Sequence, residues 1–125
     1  MNGPPTVTVL TRTWSGPHAV NEDRILCDPE AGLFAVLDGE CCGGLAADVA
    51  LESMRDHRDE LPGAVQVGAE AVRDALARAV EAAAGAVYAV ASNAESRGIG
   101  TTLTCCIVLP GYLIVAHVGD SRLYR

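Results

Sequence analysis

The chain alternates short, almost wholly apolar runs with two longer stretches in which apolar residues recur at helical spacing. Leu33 to Leu37 reads Leu-Phe-Ala-Val-Leu, and an uninterrupted apolar run of that length predicts a strand covered on both faces. Arg24 to Cys27 precedes it, and the intervening Asp28-Pro29-Glu30-Ala31-Gly32 carries the Asp, Pro and Gly that turns use. The two runs therefore predict a hairpin. Thr6 to Trp14, rich in Thr and Val, predicts a further strand after a Gly3-Pro4-Pro5 lead, ended by Gly16 and Pro17.

Leu45 to about His57 places Ala46, Val49, Ala50 and Met54 at offsets that line one helical face. Leu61-Pro62-Gly63 is expected to stop that helix. From about Val65 to Ser92, Val72, Leu76, Val80, Ala83, Val87 and Val90 or Ala91 fall on one stripe, among alanines that favour helix and close packing. Gly68 and Gly85 weaken this long helix by about 1 kcal/mol each relative to Ala, so a bend or a late start is expected.

Asn93 to Gly100 reads as a polar, glycine-rich linker. Thr101 to Leu109 and Tyr112 to Val118 then predict a second hairpin around Pro110-Gly111. Pro then Gly suits a type I or II turn, whereas tight two-residue hairpins use the primed types, so a loop wider than the minimum is expected. Gly119 to Arg125 reads as a turn followed by the start of another strand. Strands, two helices and strands again, with too few residues between strands for a helix in each crossover, predict an α+β layered fold. The 125 residues fit one domain, 1–125, or part of one.

Charge and cysteine usage narrow the function classes. Nine basic residues face sixteen acidic ones, for a net charge of −7, and the basic residues are scattered. Nucleic acid, which needs a positive stripe to displace counterions, is excluded as an expected partner. No run approaches the roughly 20 apolar residues of a membrane helix, so no membrane association is expected. The five cysteines include two adjacent pairs, Cys41 with Cys42 and Cys105 with Cys106, and no Cys-x-x-Cys spacing. That pattern fits neither a disulfide framework nor a zinc knuckle and points to a reducing cytoplasm.

Three acidic positions border the apolar strands: Asn21-Glu22-Asp23, Asp38-Gly39 and Gly119-Asp120-Ser121-Arg122. Buried strands fix the direction of what leaves their ends, so carboxylates there can converge, and convergent oxygens suit Mg²⁺ or Mn²⁺. Gly39, without a side chain, lets its carbonyl approach a ligand closely. Taken singly, each motif reads first as a turn or a solvated cap rather than a metal site.

Their order and flanks carry more. Asn21-Glu22-Asp23-Arg24, Leu33-Phe34-Ala35-Val36-Leu37-Asp38-Gly39, Gly98-Ile99-Gly100-Thr101-Thr102-Leu103 and Val115-Ala116-His117-Val118-Gly119-Asp120-Ser121-Arg122 together resemble the metal-dependent serine/threonine phosphatases of type 2C, over the N-terminal half of their catalytic domain. The resemblance implies an antiparallel β-sandwich flanked by helices, of which this chain is the N-terminal portion. It implies that Asp38 bridges two Mg²⁺ or Mn²⁺ ions, that Gly39 offers its carbonyl to one, and that Glu22 and Asp23 hold water around them. Asp120 corresponds to the acid of a further, weaker metal site. The implied reaction is hydrolysis of phosphoserine and phosphothreonine on proteins by an activated water. Neither Cys41 nor Cys42 has an arginine six residues downstream, and no Gly-x4-Gly-Lys-Ser/Thr occurs, which argues against cysteine phosphatases and P-loop NTPases.

Three features depart from the family pattern. His18 stands four residues before Glu22, where many members have a phosphate-gripping arginine; His18 serves phosphate only when protonated, or is an exposed turn residue. Glu40-Cys41-Cys42-Gly43-Gly44 replaces the loop that usually supplies a histidine; Glu40 there ligates a metal, donates a proton or faces water. The family's two later metal-binding aspartates have no counterpart before Arg125, so a truncated domain with little activity of its own is expected. Half a sandwich leaves apolar surface open and invites self-association. The alternative readings are a non-catalytic, pseudophosphatase-like binding module and a small acidic interaction domain.

Overall fold

Each predicted hairpin forms, and the two join edge to edge. In the computed structural model, which describes residues 6–125, β1 (Asp23–Asp28) pairs antiparallel with β2 (Leu33–Glu40). A two-residue strand, β3 (Gly100–Thr101), adds to the far end of β2. The next strand, β4 (Leu103–Leu109), lies along β2 and pairs in turn with β5 (Tyr112–Val118), giving the antiparallel order β1-β2-β4-β5. The Gly3-Pro4-Pro5 lead lies outside the described residues.

Side-chain alternation divides this sheet into two unlike faces. Leu26, Leu33, Ala35, Leu37, Leu103, Cys105 and Ile107 are buried on the inner face. They pack against helix α1 (Leu45–Asp56), through Ala47, Ala50, Leu51 and Met54, and against α3 (Ala69–Ala91), through Val72, Ala75, Leu76, Ala79 and Ala83. Each fully buried large side chain, such as Leu33, Leu37, Met54, Leu76 or Ile107, contributes about 1.5–3 kcal/mol of transfer free energy.

The outer face corrects the expectation of a strand covered on both sides. Val36 is exposed and Phe34 only partly covered. Residues 7–11 and 122–124 share a shallow depression over that face with Phe34, Val36, Cys106 and Val108. Neither segment is a strand, contrary to the expectation for Thr6 to Trp14 and for the end of the chain. A strand needs a ladder partner beside it, and the strand pairings among the described residues include neither segment.

Two punctuation signals act differently from their expected roles. Leu61-Pro62-Gly63 opens a short helix, α2 (Leu61–Val67), with Pro62 in its first turn, where a missing N–H costs nothing. Gly68, at φ 142° and ψ 178°, ends α2 and sets the late start of α3. Pro110-Gly111 makes a two-residue connection, since Leu109 pairs directly with Tyr112. Gly111 at φ 80° provides the left-handed residue that a type II turn requires after proline, so no wider loop is needed. Among the described residues no helix is long and apolar enough to cross a membrane.

Candidate functional site

The ladder between β1 and β2 runs further than the apolar pattern indicates. Asp23 pairs with Asp38, while Gly39 and Glu40 pair with Thr101 and Gly100. Asp23, Asp38 and Gly39 are thus strand residues, not residues beyond strand ends; only Asp120 lies in a turn after its strand. Directly opposed positions share a face, so two carboxylates stand side by side on the open side of the sheet.

Thr102, at the break between β3 and β4, ties this pair to the third carboxylate. Its N–H donates to the Asp38 carbonyl at 3.0 Å, and the Asp38 N–H donates to Thr102 Oγ1 at 3.0 Å. The same hydroxyl lies 2.6 Å from the hydroxyl of Ser121, next to Asp120. Partial burial pushes the Asp38 carboxyl above the usual carboxylate range, and Asp23, Asp120 and Glu40 push it further through their charges. Residues 38 and 120 therefore belong to one electrostatic neighbourhood.

Hydrogen bonds hold the backbone of Asn21-Glu22-Asp23 in place. Asn21 Oδ1 accepts from the Asp23 N–H at 3.0 Å. Arg24 donates to the carbonyls of Asn21 and Asp23 and pairs through its guanidinium with Asp48 of α1. The Gly39 N–H donates to the Glu22 carbonyl at 3.2 Å, and a Cβ on Gly39 would lie 2.5 Å from that oxygen. Gly39 is required by close backbone approach, which is a different reason from its expected role as a ligand.

His18 is exposed in the turn before this segment, with its N–H donating to the Ser15 carbonyl. It lines a cleft of about 120 Å³ with Trp14, Glu22, Asp23, Asp38 and Gly39. An adjoining depression of about 420 Å³ is lined by Arg12, Trp14, Asp23, Asp38, Ser121 and Arg122. Of the predicted residues, Glu22, Asp23, Asp38, Gly39 and His18 share one cleft, and Asp120 reaches Asp38 through its charge. The sequence offers no signal for Arg12, while Thr102 and Ser121 stand inside quoted motifs without a site role of their own. Arg12 stands ten residues before Glu22, too far for a spacing signal, whereas two consecutive threonines entering an apolar run could have marked Thr102.

Glu40 is exposed and acts on Asp38 through its charge. Cys41 and Cys42 are exposed with their sulfurs 3.1 Å apart, and that contact raises the Cys42 thiol. Among the described residues no three His, Cys, Asp or Glu side chains converge closely enough to hold a metal ion. The oxygen donors around Asp38 fit Mg²⁺ or Mn²⁺ in chemical type, and mutually repelling carboxylates gain from a cation between them. In number they fall short of a closed site.

Known structures share this arrangement of sheet and helices. A PPM Ser-Thr phosphatase from Mycobacterium smegmatis, MsPP, solved with cacodylate, is 30% identical over 83% of this chain, with a TM-score of 0.67. The serine/threonine phosphatase PstP/Ppp of Mycobacterium tuberculosis is 27% identical over 96% of the chain, with a TM-score of 0.68. A PstP catalytic domain solved with two manganese ions gives the same identity, coverage and score. The chain spans only 41–48% of the length of these proteins. No curated protein matches it. Residues 12–124 match the family described as Protein phosphatase 2C, and since that match takes in every strand, every helix and the whole Asp38 cleft, the chain belongs to the protein phosphatase 2C family.

Proposed function

We propose that this chain carries the N-terminal part of a metal-dependent serine/threonine protein phosphatase site, acting on phosphoproteins. One observation carries the reading: Asp38 is fixed in the sheet among Asp23, Asp120 and Glu40, whose charges oppose its ionisation. A cluster so arranged loses repulsion when it takes up a divalent cation. The Asp38 carboxylate and the Gly39 carbonyl would hold Mg²⁺ or Mn²⁺, with Asp120 on the side of a further ion. When bound, such ions polarise the phosphoryl oxygens and acidify water.

The chain's own residues have separate tasks. Glu22 and Asp23, braced by Arg24 and Asn21, accept hydrogen bonds from water and hold it in line with phosphorus. Arg12 and Arg122 beside the cleft, and His18 when protonated, attract the phosphate dianion of phosphoserine or phosphothreonine. Trp14 lines the cleft. Further oxygen donors are needed for two ions to bind tightly, so the 125 residues alone are expected to hydrolyse phosphopeptide slowly or not at all.

The test is Mn²⁺ titration followed by thermal unfolding, together with hydrolysis of a phosphothreonine peptide, for the parent and Asp38→Ala. Thermal stabilisation by metal that Asp38→Ala abolishes supports the reading. Hydrolysis that survives Asp38→Ala overturns it. The second reading, a non-catalytic binding module, is favoured by His18 in place of the family arginine and by the open ligand set among the described residues. Phosphopeptide binding without hydrolysis, even with the remaining donors supplied in a longer protein, would select it.

A further inference from the structure

Cys41 and Cys42 have no task in the proposed phosphatase chemistry, yet they are placed as a pair. Both thiols are exposed, and their sulfurs lie 3.1 Å apart. Both residues have positive φ, 67° at Cys41 and 57° at Cys42, and Cys41 has ψ 160°. That last conformation is essentially reserved for glycine. Neighbouring side chains in an extended strand point to opposite faces; the backbone at these two residues instead brings both sulfurs to one side. Elsewhere the thiols are unlike this pair. Cys105 is buried, its thiol pushed up to about 11 by desolvation, Cys106 is partly buried, and Cys27 sits alone on β1.

We propose that Cys41 and Cys42 form a vicinal dithiol that hydroperoxides convert reversibly to a disulfide. A disulfide bond is about 2.05 Å long, so the sulfurs need to close by roughly 1 Å. In the first step one thiolate sulfur attacks a peroxide oxygen, the O–O bond breaks, and the departing oxygen leaves as water or alcohol with a proton. In the second, the neighbouring sulfur attacks the resulting sulfenic acid, the S–S bond forms, and the S–O bond breaks to release water. Two thiols give up two electrons and one peroxide takes them, so the step balances without another reactant.

Adjacent residues also decide what kind of disulfide results. Consecutive Cα atoms are about 3.8 Å apart across a trans peptide, below the roughly 4.4–6.8 Å that unstrained bridges span. Such a bond is readily reduced, as labile disulfides are and structural ones are not. Its closure would reshape the loop that follows Glu40, where the Gly44 N–H donates to the Cys41 carbonyl at 3.3 Å. The proposal stands whether or not the neighbouring carboxylates bind metal.

The experiment is peroxide titration of the protein carrying Cys27→Ser, read by mass spectrometry of the tryptic fragment between Arg24 and Arg55. A loss of about 2 Da in that fragment, protection of two thiols from alkylation and full reversal by dithiothreitol are expected. Cys41→Gly suits the local backbone, and Cys42→Ser keeps its shape; each should abolish the 2 Da loss while leaving the unfolding transition in place. Fragments that gain roughly 32 or 48 Da of oxygen instead, or that cross-link between molecules, would overturn the proposal.

Discussion

A methyl group on Gly39 would lie 2.5 Å from the Glu22 carbonyl oxygen and 3.2 Å from Ala47 Cβ. Neither neighbour is a flexible side-chain tip, so Gly39→Ala is expected to cost about 1–3 kcal/mol, measured by urea unfolding. An unchanged midpoint would mean that β1 and β2 do not approach as closely as described. At Asp38 the sign is opposite. Its carboxyl is raised in the folded chain, first by burial and then by Asp23, Asp120 and Glu40, so the folded state holds the proton more tightly than the unfolded chain. Stability from this group is present at low pH and lost as pH rises through the raised value. Asp38→Asn removes that loss: the variant should melt about 1–4 °C higher than the parent at neutral pH and no higher once both are near pH 3. A lower melting temperature at neutral pH would contradict the electrostatic account.

Among elements, Thr102 connects the most with the fewest atoms, because one residue bonds twice to Asp38 and once to Ser121. Thr102→Val keeps the shape and removes the hydroxyl. It should cost about 1 kcal/mol and speed hydrogen exchange at the Asp38 amide, with little change in the middle of α3. Equal acceleration everywhere would show a global effect instead. Thr102 also marks where sequence reasoning ends. Both hairpins and both long helices were legible because apolar runs and the Val72-Leu76-Ala83 stripe follow the periods of strand and helix. The ladder through Asp38-Gly39-Glu40 was not, since polar residues close an apolar pattern while backbone pairing continues regardless of side chain. Thr6 to Trp14 and the residues after Asp120 have β-rich composition, but composition carries no information about a ladder partner. The carboxylate convergence was legible only from the order of four motifs, and Arg12 gave no signal at all.

For the whole molecule, the two sheet faces differ in consequence. The inner face is sealed by helices, whereas Val36, Leu113 and Val115 are exposed on the outer one. With these apolar side chains open, that face is expected to self-associate at high protein concentration despite the net charge of −7. Sedimentation should show mass rising with concentration, reduced by Val36→Thr with Val115→Thr; a monomer at every concentration would exclude this. A different consequence follows from Cys105, sealed at the centre of the sheet with its thiol pushed up to about 11. Alkylating reagents can reach it only when β4 separates from its neighbours, so the slow phase of labelling is a native clock for that opening. The protein carries its own reporter of unfolding, and any ligand that tightened the sheet would be read out as a slower tick.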